Sequence, residues 1–438
     1  MFINFPDSGV VVQGLDQVRL PKMYRILQKY DKQKIWDIRA HVQAQLEENI
    51  QNKDWFCNKK IAITASSRGI PHIDCILKTL CEMLASWGAH PFIVPAMGSH
   101  GGATAEGQRE LLKGYGITEE NVGAPIISSM EVVQYGAIEG IPLFCDKNAF
   151  YADGIVLLNK VKPHTDFRGT VESGLCKMIA IGLAKHKGAT AFHSLGYERF
   201  AEIIPKAAKQ FLQVAPVVFG VGIIQNAYDE VCKIDVIKKE HIIEKDMELL
   251  AIAKGKIATF KFKELDVLII DEIGKNISGF GYDPNIVGRS NSDSKEFSDI
   301  LKLKRLFIRG LTDETHHNGC GIGAADVTTA RCLRSIDWDV LWTNIITSTQ
   351  LHGGRIPIYM NSDLDAIKLA IHTCNGIECK DIKLARIKNT LCMDKIEVSQ
   401  ALYEQIKDHP DVKYIEGPFD FLFDQHGDIL EQYNKRLL

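Results

Sequence analysis

The chain has 438 residues, enough for two or three domains of ordinary size. Hydrophobic residues make up 45% and charged residues 24%, which excludes a disordered tail protein and fits a soluble globular one. Fifty-two basic against 55 acidic side chains leave a formal charge of −3, and with no local Lys/Arg run there is no footprint for nucleic acid.

The longest apolar run, Val214 to Ile224, spans eleven residues and contains Pro216 and two glycines. A membrane span needs about 20, so the run reads as a buried strand and no membrane anchor is expected. The opening MFINFPDSGV lacks the basic and apolar regions of a secretory leader. Eleven cysteines with no C-x-x-C pair read as the reduced thiols of a cytoplasmic protein, without a disulfide framework or a structural zinc site.

In chain order, Ile35 to Ile50 has the pattern of an amphipathic helix. Lys60 to Ala65 (KIAITA) reads as a buried strand, followed by a helix from Pro71 to Trp87, with Pro in its first turn and Gly88 just past its end. A strand from Pro91 to Pro95 comes next, then the loop MGSHGGA and a helix from about Thr104. Such β-α-β-α order builds a parallel sheet covered by helices. Gly154 to Asn159 is the next strand, running through KVKPHTDFRGTVESG into a long helical stretch through Lys177, and Val217 to Ile224 is another strand. The charge-dense stretch from Lys233 to Lys263 reads as the domain boundary, placed near residue 260. Leu265 to Asp271 opens a second α/β series, with strands near Leu306 to Ile308 and Ile382 to Leu384. The expected fold class is α/β, with two α/β domains and mainly parallel sheets. Residues 1–260 form an N-terminal catalytic domain and 261–438 a C-terminal one, with the last ~20 residues packing back on the first.

In open parallel sheets, ligands collect outside the carboxyl ends of the strands. Arg68 follows the first of these strands, His100 the second, and His164 with Arg168 the third. The segment GSHGGAT, residues 98–104, has three glycines that let a ligand approach the backbone and a Thr104 able to cap the next helix. Free N–H groups there would favour an anion. The competing reading is a plain strand-to-helix turn. No P-loop pattern occurs.

Two motifs are discounted. Gly319, Gly321 and Ala324 match G-x-G-x-x-A formally, but LTDETHHN separates them from the strand at Phe307, so no dinucleotide site is expected. His316 and His317 are adjacent, their side chains diverge, and no further ligand stands at helical spacing. Lys177 and His193 lie in SGLCKMIAIGLAKHKGATAFHS, a run of small and apolar residues. Burial would make Lys177 a neutral, nucleophilic amine, whereas a lysine snorkelling at a helix edge would stay charged.

Taken in order, SSRGIP, PAMGSHGGAT, VKPHTDFRG, SGLCKMIAIG with AFHS, ISGFGYDPN and NGCGIGAADVTT span most of the chain. The ordered set resembles the nickel-dependent lactate racemase family, whose members use a nickel-pincer nucleotide. The resemblance implies two α/β domains with the active site in the cleft between them. It implies that Lys177 is joined to the cofactor through a thioamide and that His193 is the protein ligand of the nickel. By the same resemblance His100 and His164 are acid and base on the substrate hydroxyl, and Arg68 holds anionic ligands. Ser99, Gly101, Gly102 and Thr104 would line the cofactor. Lys275, with Arg289, is the candidate substrate contact in the second domain. The implied partners are a small 2-hydroxy acid and the enzymes that make the cofactor. Ala65 stands where the family has an acidic residue, three positions before the arginine, and the interval from His164 to Lys177 is longer than in the lactate enzymes. The substrate is therefore read as lactate-like or a larger 2-hydroxy acid such as a sugar acid. The rival readings are a cofactor-free two-base racemase and a non-catalytic protein that binds an anion or cofactor.

Overall fold

The computed structural model describes residues 1–67, 69–292 and 295–430. Two compact units emerge. A central unit is continuous from Asp31 to Ile257, and a split unit joins Met1–Tyr30 to the chain from Ala258 onward. Strands are numbered along the chain. β1 (Met23–Gln28) belongs to the split unit. β2 (Lys60–Ala65), β3 (His90–Pro95), β4 (Val132–Ile138), β5 (Ile141–Asp146), β6 (Gly154–Lys160), β7 (Val217–Gln225) and β8 (Val231–Lys238) belong to the central one. The split unit continues with β9 (Glu264–Ile270), β10 (Lys302–Ile308), β11 (Val327–Thr329), β12 (Ile358–Met360), β13 (Leu384–Ile387), β14 (Lys395–Ser399) and β15 (Val412–Phe419).

The central sheet has the order β3-β2-β6-β7-β8, parallel except for β8, which runs antiparallel to β7. Its inner strands are apolar on both faces because both faces are covered. Ile61, Ile63, Val156 and Leu158 join one core layer with Ile76, Leu77, Leu80 and Leu84 of the helix Ile73–Ser86. The alternate residues Ala62, Ile155 and Leu157 point into the other layer, with Phe200, Ile204 and Phe211 of the helix Phe200–Val214. β4 and β5 form a separate hairpin.

Local signals account for most helix ends. Asp37 caps the helix Ile38–Asn49, accepting the Ala40 N–H at 2.9 Å. Gly88 takes φ +82° just past the helix Ile73–Ser86. Pro71, read as a first-turn residue, lies two positions upstream of that helix, and His72 at φ +59° separates the two. The long helical stretch through Lys177 is broken. A short turn, Leu175–Lys177, runs into a π-helical turn, Met178–Gly182, and the helix Lys185–His193 starts afresh after Lys185 at φ +53°. The charge-dense stretch read as a boundary is regular structure, β8 followed by the helix Ile242–Lys256. That helix buries Ile242, Asp246, Leu249, Leu250 and Ala253 and leaves its other charged residues at least partly exposed. The chain passes from the central to the split unit at Ile257/Ala258.

The split unit holds an eight-stranded sheet of order β12-β11-β10-β9-β13-β14-β1-β15. β9 to β13 are parallel, and β14, β1 and β15 alternate in direction. Residues 1–30 therefore depart from the expected 1–260 domain. Met23 and Ile26 of β1 are fully buried. Arg25 pairs with Glu397 of β14 at 2.8 Å, and Glu397 pairs with Arg386 of β13 at 3.2 Å. The described part of the C-terminal segment also stays in its own unit, with Phe421 and Ile429 in one cluster with Val267 and Ile269. Residues 431–438 lie outside the described residues.

Backbone contact between the loops ISGFGYDPN and NGCGIGAAD explains their glycines. A Cβ on Gly281 would stand 2.0 Å from the Cys320 carbonyl oxygen, and one on Gly321 would stand 2.1 Å from that of Phe280. The two loops cross there reciprocally, so Gly321 of the formal dinucleotide fingerprint serves loop-to-loop packing, while Gly319 packs against the Ile336 side chain.

Candidate active site

Lys177 is placed by groups that sequence reasoning missed. The Asn159 side chain donates to the Gly174 carbonyl at 2.7 Å, and the N–H groups of Leu175 and Cys176 both donate to Asp246 at 2.9 Å. Asp246 is wholly buried, and burial raises its carboxyl pKa against the lowering effect of those two N–H groups. A Cβ on Gly174 would fall 2.1 Å from the Asp246 carboxylate, so glycine is required for that approach. No local signal links position 246 to position 174, which are joined only in the folded sheet.

The half-buried Lys177 brings its Nζ to 2.5 Å from Nε2 of His164. Glu172, fully buried, closes the loop that carries His164. It accepts the His164 N–H at 2.7 Å and the Gly169 N–H at 3.3 Å, and pairs with Lys254 at 2.7 Å and Arg168 at 3.6 Å. The Asp166 N–H donates to Nδ1 of His164 at 3.0 Å. A ring nitrogen that accepts carries no proton, so the neutral imidazole has its hydrogen on Nε2. Nε2–H must then donate to Lys177, which accepts only as a neutral amine.

His193 ends the helix Lys185–His193. Its ring centroid lies 5.5 Å from those of both Tyr197 and Phe200, and Tyr197 is in turn 5.8 Å from His164. His164 and His193 thus flank one aromatic group, and Lys177 joins them through His164. Nδ1 of His193 is buried without a hydrogen-bond partner. Burial, the dominant cause, lowers the ring's pKa to about 4, so His193 is a neutral imidazole at pH 7. Between the ordinary 6.5 and 4 the unfolded chain binds a proton that the folded ring refuses. Stability is therefore full above pH 6.5 and falls as pH drops through that window. Urea titrations of the chain free of any bound group should show about 2 kcal/mol lost between pH 7 and pH 5 that His193→Gln does not lose; equal slopes would contradict this.

The glycine loop lies against the π-helical turn. Gly98 N–H donates to the Gly182 carbonyl at 3.1 Å, and a Cβ on Gly182 would stand 2.6 Å from the Ala96 carbonyl oxygen. The exposed His100 has Nδ1 2.9 Å from the Met97 carbonyl, so Nδ1 carries the hydrogen and Nε2 is the basic nitrogen. His100 and His164 are therefore set in opposite tautomers. Gln108 supports the loop, donating to the carbonyls of Gly98 at 2.9 Å and His100 at 3.2 Å. The fully buried Lys185 supports Gln108, donating to its Oε1 at 3.3 Å and to the Pro95 carbonyl, and pairing with Asp146 at 3.2 Å. The deeply buried lysine of this segment is thus Lys185. In AKHKG it reads as one of several cations in a solvated turn.

Thr104 caps the helix Ala105–Gly114, accepting the Gly107 N–H at 3.0 Å. Gly101 packs on Gly107, where a Cβ would stand 2.0 Å from the Gly101 carbonyl oxygen. Turn geometry alone accounts for these two residues. A Cβ on Gly102 meets nothing within 4 Å, and Ser99 is partly exposed, so this side of the loop is open. Arg68 lies outside the described residues. Lys275 belongs to the split unit, where its Nζ donates to the Gly279 carbonyl at 2.7 Å and its N–H to Thr315 at 3.0 Å. Arg289 is tied to Asp326 at 2.7 Å.

A cavity of about 980 Å³ in the split unit is lined by residues at the starts of β9 and β10, among them Glu264, Asp266, Lys302 and Lys304. That is the amino end of its parallel strands, opposite the end where such sheets bind ligands. Its lysines face carboxylates, Lys302 with Glu264 at 3.3 Å and Lys304 with Asp266 at 3.0 Å. Among the described residues no three His, Cys, Asp or Glu side chains cluster as a metal site. A metal at His193 would take its other donors from a bound group.

No helix among the described residues is long and apolar enough to cross a membrane. No protein-family model matches the chain, and no curated protein sequence does. Among solved structures it is similar to a protein of Thermotoga maritima, at 16% identity with a TM-score of 0.46, over 62% of this chain and 69% of that one. It is also similar to the lactate racemase apoprotein of Thermoanaerobacterium thermosaccharolyticum, at 15% identity with a TM-score of 0.51, over 84% of this chain and 98% of that one. The chain has a lactate racemase-like fold, with mostly parallel sheets in α/β units.

Proposed function

We propose that the protein is a racemase or epimerase acting at C2 of a 2-hydroxy acid, with a nickel-pincer nucleotide tethered to Lys177. The observation that carries this reading is the pair Lys177, hydrogen-bonded to His164, and His193, a neutral imidazole whose buried Nδ1 has no hydrogen-bond partner, with both histidines beside Tyr197. Lys177 would supply the covalent anchor and His193 the nitrogen donor that such a nickel-bearing group needs. When bound, the group supplies a hydride acceptor at C2 of the substrate.

The chain's own residues handle the hydroxyl proton and the negative charge. His100 presents a basic Nε2 and His164 an Nε2–H, so one ring accepts the proton that the other can return. A racemase meets both hands of its substrate and needs both roles. Ser99 and Gly102, on the open side of the loop, and Arg68 and Lys275 are assigned to the anionic parts of cofactor and substrate. Phe167, Tyr197 and Phe200 form the apolar floor that keeps His164 and His193 from bulk water.

The test follows the C2 hydrogen. Chain matured with cofactor-synthesis enzymes, given a panel of lactate-like and sugar-derived 2-hydroxy acids in D₂O, should racemise at least one and keep ordinary hydrogen at C2. Substantial deuterium at C2 would replace this mechanism with a two-base one acting directly on carbon. No racemisation of any member would leave a binding protein.

A further inference from the structure

The same hydrogen bond that places Lys177 also fixes the order in which the site is assembled. We infer that His164 serves Lys177 first and the substrate second: in the unloaded chain it holds Lys177 as a neutral amine, an acyl acceptor at neutral pH, and acylation of that amine then releases His164 for substrate. The inference deepens the proposed function and concerns the chain before any cofactor is attached.

The argument runs from the backbone outward. The Asp166 N–H occupies Nδ1 of His164, the Glu172 carboxylate fixes the His164 N–H, and Asp246 fixes the N–H groups just ahead of Lys177. Both side chains are thereby held from their own main chains, and Nε2 and Nζ meet at 2.5 Å. A Lys177 ammonium would have to donate to Nε2. That would move the ring hydrogen to Nδ1, against the Asp166 N–H. Among the described residues, the titratable and charged groups near the pair include Asp166, with a carboxylate oxygen 3.9 Å from Nδ1, Arg168 and Lys254 on Glu172, Asp246 beneath the turn, and the neutral His193 beyond Tyr197.

An activated carboxyl or thiocarboxyl donor is the matching chemical class. Nζ attacks the acyl carbon, the C–N bond forms, and the bond to the leaving group breaks with its electron pair. One hydrogen from nitrogen ends on the leaving group, and nothing is oxidised or reduced. The resulting amide or thioamide nitrogen has no basic lone pair, so it no longer accepts from Nε2–H. The same reaction that anchors the group therefore ends the hydrogen bond that activated the lysine.

Competitive acylation of the full chain, expressed without cofactor-synthesis enzymes and shown by intact mass to carry no adduct, tests this separately from any racemase activity. The probe is the N-hydroxysuccinimide ester of acetic acid, read by mass spectrometry of the Lys177 peptide against the exposed Lys113 in the same sample. An ordinary lysine's free-amine fraction rises about 90-fold from pH 7.5 to 9.5, whereas Lys177 should change less than about threefold, so the Lys177-to-Lys113 ratio should fall at least about 30-fold as pH rises. His164→Gln, whose amide oxygen accepts from an ammonium, should restore the ordinary rise. If that variant fails to fold, the profile of the native chain decides alone. A constant ratio across this range in the native chain, or no labelling of Lys177 at any pH, would overturn the inference whether or not the mature protein racemises anything.

Discussion

Replacing Lys185 with methionine should destabilise the central unit by about 3–5 kcal/mol, the cost of breaking a buried ion pair by removing one partner. Lys185 and Asp146 are both fully buried, and burial lowers the lysine's pKa while Asp146 raises it. Without the ammonium, Asp146 is left as an unpaired buried charge, and the Pro95 carbonyl and Gln108 Oε1 lose their donor. Asp146→Asn in the same chain should recover more than half of the loss. Asparagine is neutral and can still accept the Ala149 N–H that Asp146 accepts at 3.0 Å. Urea midpoints of the two variants decide the matter. A double variant no better than Lys185→Met would mean that the lysine acts through its carbonyl and amide partners rather than through the ion pair. Because Gln108 grips the carbonyls of Gly98 and His100, the single variant should also loosen the loop that presents His100.

The second large effect is expected in the split unit. Gly281 and Gly321 have φ of +93° and +99°, where a side chain is strained, and each would drive a Cβ to within 2.1 Å of a carbonyl oxygen on the other loop. The obstacle is backbone on both sides, so no rotamer change relieves it. Gly281→Ala and Gly321→Ala should each cost at least about 3 kcal/mol. The pair together should cost less than the sum, since the first loop shift already makes room for the second. Thermal denaturation followed by near-ultraviolet circular dichroism reads this directly. Gly102→Ala offers the contrast: its φ is +63°, but open space surrounds the added methyl, so it should cost only about 1 kcal/mol.

Sequence patterns were most legible where a strand is buried on both faces. KIAITA, GIVLLN and LDVLIID are continuous apolar runs because helices cover both sides of their sheets, and they fold as β2, β6 and β9. β1, β14 and β15 alternate or carry charge, and they are strands only because each finds a partner far away in the chain, as in the pairing of Ile26 with Ile396 and Tyr414. Among the candidate site residues, Lys177 and His193 stand out in a run of small and apolar residues, and His164 by its place after a strand. Asp246, Gln108 and Lys185 do not, because what marks them is burial against a partner 70 or more residues away. The formal dinucleotide fingerprint shows the converse. Its Gly321 is a real requirement, but of packing between loops, and only the position of the preceding strand separated the two meanings.

The place of β1 between β14 and β15 has a consequence for how the protein is born. The central unit is a continuous segment, and its parallel strands can pair as soon as residue 257 has left the ribosome. The split unit cannot close its sheet at that stage, because Met23 must wait for Ser399 and Phe419. Synthesis at about 5–20 residues per second leaves the first segment unpartnered for at least several seconds. During that time Met23 and Ile26 expose apolar surface on a strand with both edges open. A circular permutant that moves residues 1–30 to follow residue 430 would turn this late, long-range closure into a local one, and the split unit would then assemble from a single stretch of chain.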